Sequence, residues 1–196
     1  MMSTVIKSVP IFPLSVVLCP QGGLSLRIFE ARYLDMVSQC LKQDRPFGVC
    51  MIVDGQEVGQ AARCYQTGTL AKIVNWDQSD DGMLLIEAQG CQRFRIVDSQ
   101  IAPNQLITAT INVQNDATTI PIPDFFCDLK DLLYEVMKRQ PSSLSLFENG
   151  GNDANWLGYR LIEMCQLDNV LKQRLLEIDD AIERLRTIQD LLSETK

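Results

Sequence analysis

The pattern of apolar residues changes once along this 196-residue chain, and that change constrains its fold more than any other feature. Up to about residue 117, short apolar runs and alternating stretches are separated by turn residues, which is typical of β-strands. Between Thr118 and Pro123, two prolines spaced by one residue fit neither a helix interior nor a central strand. Beyond them, apolar residues recur at helical spacing. The sequence predicts an α+β fold with a β-rich lobe over 1–117, a connector over 118–123 and a helical lobe over 124–196.

The β-rich lobe is expected to hold about six short strands and one inserted helix over 30–43. The apolar segments that predict strands are 5–12, 14–19, 24–28, 47–53, 69–76, 83–97 and 106–113. Gly90 interrupts one of these segments, which indicates a bulge or a sharp bend. Short strands of this number favour a small closed or nearly closed barrel.

The helical lobe is expected to be a bundle of about four amphipathic helices. The first begins at Asp124 as its N-cap, with an apolar stripe of Phe125, Leu129, Leu132, Leu133 and Val136. Asp180 stands three residues before Glu183, an aspartate variant of the capping box that predicts the start of the last helix.

Composition removes most catalytic chemistry. The chain has no histidine, so it has no Ser-His-Asp triad, Cys-His dyad or imidazole metal ligand. No C-x-x-C pair starts a zinc site, and no glycine cluster fits a phosphate-binding loop. No lysine stands out as the desolvated partner of a nucleophilic serine. We therefore expect no enzymatic activity, no metal site and no cofactor.

Charge and cysteine content bear on partners and location. The net charge of −7 disfavours nucleic acid and acidic membrane surfaces, and the opening residues do not fit a signal peptide. Seven scattered cysteines, an odd number, do not suggest a disulfide framework. They are interpreted as buried thiols in a reducing cytoplasm.

Several sequence blocks, in order, resemble the N-terminal substrate-binding domain of Lon proteases. The blocks are I-F-P-L at 11–14, V-L-C-P at 17–20, L-x-L-x-I-F-E-x-R-Y at 24–33, G-V at 48–49, G-T-L-A-K-I at 68–73 and G-x-x-R-F-R-I at 90–96. The helical tail is similar to that of short bacterial proteins made of this domain alone. The resemblance implies a PUA-like pseudo-barrel followed by a helical lobe, without ATPase or protease domains. It further implies a cytoplasmic module that binds unfolded or exposed polypeptide segments, with a protease or chaperone as a further partner.

Two questions about binding stay open at this point. Apolar and cationic groups predict a peptide-binding groove formed by Phe12, Pro13, Arg32, Tyr33, Arg93 and Phe94. For the F-E-x-R-Y block itself, a structural role is favoured: Glu30 and Arg32 fix the helix start while Phe29 and Tyr33 fill the core. The alternative function is RNA binding, since PUA-like barrels serve it, although Arg93 and Arg95 are interpreted as an exposed strand face.

Overall fold

The structure is a computed structural model that describes residues 4–80, 82–114, 118–139 and 150–194. Its contacts divide the chain into two compact units, 1–115 and 116–196. The first unit contains β1 (Thr4–Leu14), β2 (Gly23–Ile28), α1 (Ala31–Gln43), β3 (Phe47–Asp54), β4 (Arg63–Cys64), β5 (Thr67–Gln78), β6 (Leu84–Ile101) and β7 (Ile107–Val113). The second contains a 3₁₀ turn (Asp124–Phe126), α2 (Cys127–Lys138), α3 (Ala154–Met164), α4 (Asn169–Glu177) and α5 (Ala181–Glu194). The boundaries predicted from the sequence, with lobes over 1–117 and 124–196 and a connector over 118–123, stay a prediction.

Five strands of the first unit form a hydrogen-bonded ring. β1 pairs antiparallel with β7, β7 with β6, β6 with β5, and β5 with β3. β3 then returns to β1 in parallel, with Ile11 opposite Gly48 and Leu14 opposite Met51. Two further strands lie outside the ring: β4 pairs antiparallel with β3, and β2 pairs antiparallel with β6. The predicted α+β class is confirmed and the ring is consistent with the predicted pseudo-barrel; the described residues of this unit form seven strands rather than about six.

The helix α1 packs one face on the larger core of this unit. Its buried residues recur at helical spacing and include Tyr33, Met36, Val37 and Cys40. It ends at Asp44, which adopts the left-handed conformation with φ 46° and donates its backbone N–H to the last helical carbonyls. The core contains Phe12, Leu14, Leu18, Ile28, Tyr33, Met36, Val37, Cys40, Phe47, Val49, Ala71, Ile86 and Ala88. A second cluster contains Val9, Ile11, Cys50, Leu70, Phe94, Ile107, Ala109, Ile111 and Val113.

Gly90 is the point where another part of the chain approaches β6 closely. Its N–H donates to the carbonyl of Gly22 over 2.8 Å, and its own carbonyl accepts from the N–H of Gln21 over 2.7 Å. A side chain at this position would overlap the carbonyl oxygen of Cys19. The register between β5 and β6 shifts beside this residue, so the irregularity predicted at Gly90 is present. The turn formed by 19–22 is therefore held against the strand.

Three helices of the second unit, α3, α4 and α5, begin at side-chain caps. The Asp153 carboxylate accepts from the N–H of Asn155 at the start of α3, and that of Asp168 accepts from Leu171 at the start of α4. At α5, the Asp180 carboxylate accepts from the N–H of Glu183 over 2.8 Å, as the sequence predicts. Each bond satisfies a backbone donor that has no partner inside its helix.

Several local predictions are wrong. The segment 14–19 is not a strand, because β1 runs continuously through Pro10 and ends at Leu14. Asp124 opens a 3₁₀ turn whose cap is Pro123 and does not cap a helix with its side chain. In α2 the buried face is Leu129, Leu133 and Met137, whereas Phe125, Leu132 and Val136 are exposed. None of the seven cysteines forms a disulfide, but only Cys19, Cys40 and Cys50 are buried; Cys64 and Cys165 are partly buried, and Cys91 and Cys127 are exposed.

Candidate functional site

A cavity of about 150 Å³ opens in the first unit where the end of β1, the strand β2 and the start of α1 meet the loop between β3 and β4. Its volume is comparable to that of cavities that accept a small apolar group. The lining residues are Phe12, Leu14, Ser25, Leu26, Arg27, Ile28, Phe29, Glu30, Tyr33, Glu57 and Val58.

Aromatic rings form one wall of the cavity. The ring of Phe12 stacks on that of Tyr33, with centroids 4.0 Å apart and planes 13° apart. Phe47 packs against the other side of this pair, 6.2 Å from Phe12. Burial raises the pKa of Tyr33 to about 12, because the phenolate would lose its hydration. Phe12 and Tyr33 thus present uncharged aromatic surface to the cavity.

Arg32 connects the start of α1 to two other segments. Its Nη2 lies 3.0 Å from Oε2 of Glu30, and its Nη1 donates to the carbonyl of Gln105 over 3.0 Å. Its guanidinium also lies 4.6 Å from the ring centroid of Tyr33. The side-chain oxygen of Gln105 accepts from the N–H of Ala61 over 3.2 Å. This chain of bonds fixes the cavity wall relative to the β3–β4 loop.

The rim of the cavity is apolar and open to solvent. Phe29 is 60% exposed and Val58 is 46% exposed. Glu57 holds the loop in place, because its Oε1 accepts from the N–H of Ser15 over 2.7 Å. Exposed apolar side chains beside a cavity with an aromatic wall leave hydrophobic surface that folding alone does not require, which is typical of an interaction site.

A second, shallower concavity adjoins the first. It has a volume of about 460 Å³ and lies on β2, β5 and β6. Ser25, Leu26 and Arg27 line both concavities. Trp76, which is 59% exposed, lines the second. The two concavities therefore form a continuous recessed surface on either side of β2.

The structure brings together only part of the predicted groove. Phe12 and Tyr33 line the cavity, and Arg32 braces it from behind. Pro13 is buried in β1, opposite Cys50 of β3. Arg93 and Phe94 lie in β6.

Arg93 is 1% exposed, and Phe94 belongs to the other core cluster. The prediction that Arg93 lies on an exposed strand face is therefore wrong, although Arg95 is exposed. Neither Arg93 nor Phe94 lines the cavity or the concavity beside it.

Three exposed residues of the recessed surface were not predicted. Phe29 was expected in the core, and Val58 and Trp76 carried no functional prediction. The alternation Leu24, Leu26, Ile28 places Phe29 just beyond the end of the inward-facing set, where the strand gives way to the helix. Phe29 is out of phase with those inward-facing residues and in phase with the exposed Ser25 and Arg27, and this alternation is the sequence signal that favours an exposed position.

The described residues contain no group of three or more cysteine or carboxylate side chains suited to a metal ion. Among them, too, no helix is both long enough and apolar enough to cross a bilayer.

Comparison with known proteins identifies the family. A model of the ATP-dependent protease La (LON) substrate-binding domain matches residues 8–194. Among solved structures, a Lon N-terminal domain protein from Xanthomonas campestris is 30% identical with a TM-score of 0.81, covering 94% of this chain and 98% of that one. The N-terminal domain of the Mycobacterium avium complex Lon protease shares the fold, with a TM-score of 0.69 at 21% identity, covering 95% of this chain and 98% of that one.

The full-length relatives are much longer than the region matched. A Lon protease of Cytophaga hutchinsonii is 25% identical over 94% of this chain, which spans 24% of that protein. A Schizosaccharomyces pombe protein described as a LON peptidase N-terminal domain and RING finger protein is 24% identical over 90% of this chain, which spans 43% of it. With the family model covering nearly all of its length, the chain belongs to the family of Lon protease substrate-binding domains.

Proposed function

We propose that this chain is a non-catalytic module that binds exposed segments of unfolded polypeptides at the recessed surface beside β2. The observation that carries the proposal is the apolar rim of Phe29 and Val58 around a cavity walled by the stacked rings of Phe12 and Tyr33. An apolar side chain of an unfolded segment would bury its surface there, gaining about 25 cal/mol for each Å² removed from water.

The charge of the surface supports a polypeptide ligand over RNA. Besides Arg27, the residues lining the two concavities include the carboxylates Glu30, Glu57, Asp77 and Glu87. Phosphate groups would be repelled by this excess of negative charge, and binding of RNA depends strongly on cationic side chains.

The proposal extends to location and partners. None of the seven cysteines forms a disulfide, which fits a reducing cytoplasm. The family match is to a substrate-binding domain, and the sequence lacks histidine and a phosphate-binding loop. Delivery of bound segments to a protease or chaperone is the role that such a module would serve.

The test uses one protein in two states. Fluorescently labelled lysozyme that has been reduced and carboxymethylated is unfolded, while the untreated labelled protein is folded. We expect fluorescence anisotropy to rise with this chain for the unfolded form only. In the double variant Phe29→Ser/Val58→Ser the affinity should fall at least about tenfold, because two apolar contacts are lost.

The matched control is Val97→Ser, which removes a 65% exposed apolar side chain that lines neither concavity. It should leave the affinity unchanged. Absence of binding to the unfolded form, or equal losses in the control and the double variant, would contradict the proposal.

A further inference from the structure

Among the described residues, the strand β2 pairs with another strand along one edge only. It pairs along its whole length with β6, from Gly23 opposite Gln89 to Ile28 opposite Leu84. On its other side, no strand of the described residues pairs with it. A strand edge of this kind presents backbone N–H and C=O groups at the spacing that another extended chain requires.

This edge lies at the candidate site. Ser25 to Ile28 line the first cavity, and Ser25 to Arg27 also line the second concavity. The side chains of Leu24, Leu26 and Ile28 face the core, whereas that of Ser25 is exposed. A segment lying along the edge would therefore meet a recess on each side of the strand.

The charges beside the edge favour a particular ligand. Glu30 is paired with Arg32, whereas Glu57, Asp77 and Glu87, which also line the recesses, form no ion pair with any of the described residues. Asp77 and Glu87 instead contact the backbone N–H of Gln78 and the side-chain amide of Asn75. Lysine or arginine residues flanking a bound segment would lie in this negative potential.

We propose that an extended polypeptide segment, apolar at alternate positions and flanked by lysine or arginine, binds by adding a strand to the free edge of β2. The inference rests on the proposed function and specifies its mode. Main-chain hydrogen bonds to the Leu24–Leu26 stretch supply affinity that does not depend on sequence. Because side chains of a strand alternate between faces, every second residue of the segment points toward the cavity side.

The decisive probe is a synthetic peptide of eight alternating valines and threonines with two lysines at each end. Versions N-methylated at one residue at a time lose one backbone donor each. On an added strand, only every second N–H points to β2. We expect affinity to fall about tenfold or more for methylation at every second residue and to change little at the residues between.

The charge requirement is tested on the protein with conservative changes. The double variant Asp77→Asn/Glu87→Gln keeps an acceptor oxygen at both positions but removes two negative charges. It should bind the lysine-flanked peptide about three- to tenfold more weakly at low salt, and a glutamate-flanked peptide no more weakly. The matched control Asp35→Asn/Asp98→Asn removes two charges from exposed residues that line neither recess and should change neither affinity.

The outcomes separate the inference from the function. If unfolded lysozyme binds but the methylation series shows no alternation, the segment binds through side chains alone and strand addition is overturned. Equal effects of the two double variants would overturn the charge preference. If neither unfolded lysozyme nor the peptide binds, the proposed function fails together with the inference.

Discussion

Each unit of the molecule buries an arginine beside a tyrosine ring, but the two arginines are satisfied differently. In the helical unit, Arg184 is fully buried and donates to the carbonyls of Leu175 and Ile178 and to Oδ1 of Asn155. Its guanidinium lies 4.3 Å from the ring centroid of Tyr159. In the strand-rich unit, Arg32 lies 4.6 Å from the Tyr33 ring.

The side chain of Arg32 is less completely hydrogen-bonded than that of Arg184. Arg32 pairs with Glu30 and donates to Gln105, yet among the described residues its Nε has no hydrogen-bond partner. The same is true of Oε1 of Glu30, and Glu30 itself lines the cavity. Full satisfaction of a buried cation indicates a structural role, whereas unmet polar atoms beside an opening are typical of a functional site. We infer that Arg184 holds α3, α4 and α5 together, whereas Arg32 supports the wall of the cavity proposed as the binding site.

Replacing each arginine by methionine measures this difference. Arg184→Met would remove all three hydrogen bonds that the guanidinium donates to Leu175, Ile178 and Asn155, and we expect a loss of about 3–5 kcal/mol in the free energy of unfolding. Arg32→Met should cost about 2 kcal/mol, since Glu30 is partly exposed and can be hydrated. Urea unfolding checks both values. The fluorescence of Trp156, in a Trp76→Phe background, monitors unfolding of the helical unit, and circular dichroism monitors the whole chain.

A lysine at each position serves as the control. Arg184→Lys keeps the charge but reaches fewer acceptors, so it should recover only part of the loss. A smaller loss for Arg184→Met than for Arg32→Met would reverse the assignment of the two residues.

Alanine substitutions at one glycine in each unit extend the comparison of the two units, and their expected effects on stability are smaller than that of Arg184→Met. A methyl group at Gly90 would overlap the backbone carbonyl of Cys19, which its own hydrogen-bonded turn holds in place. At Gly158 in α3, the methyl group would lie 3.1 Å from Cδ of Arg184, a side-chain atom. We expect Gly90→Ala to destabilise by about 2–3 kcal/mol, because backbone must move.

Gly158→Ala should stay within about 1 kcal/mol of the parent. The gain in helix propensity, about 1 kcal/mol, offsets the crowding of Arg184. Thermal or urea unfolding of both variants provides the measurement. Similar losses at the two positions would show that Arg184 is held as rigidly as the backbone turn at Gly90.

Local elements of both units were predictable because their signals lie within a few residues. The helix α1 follows from the spacing of Tyr33, Val37 and Cys40, and its observed bounds differ from the predicted ones by one residue. The hairpin of β5 and β6 follows from two apolar runs around a polar turn. Asp180 could be assigned as a cap because its acceptor acts only three residues away.

The features that make the site depend on distant residues. The parallel pairing of β1 with β3 places Ile11 opposite Gly48, and the pattern of apolar residues in the two segments does not indicate this pairing. Arg93 has the sequence pattern of an exposed strand residue but is buried by the tertiary fold. Phe29 lies between β2 and α1, and its position in the cavity lining depends on how these two elements pack. Propensity and spacing therefore place the elements, while the cavity arises from how they pack.

The smallest expected effect concerns the ionisation of Tyr33. Burial raises the pKa of Tyr33 to about 12 in the folded state, above the value of about 10 for an exposed tyrosine. The folded state thus holds this proton more tightly, and the stability it contributes is complete below pH 10 and is lost as pH rises from 10 to 12. Tyr33→Phe cannot ionise there and keeps the ring that stacks on Phe12. Relative to the variant, the parent chain should lose about 1 kcal/mol of unfolding free energy at pH 11.

Urea unfolding at pH 8, 10 and 11 measures this difference, with Tyr134→Phe as an exposed control. Parallel curves for the parent and Tyr33→Phe would mean that the phenol is hydrated, and that the aromatic wall of the cavity is more open than its packing indicates.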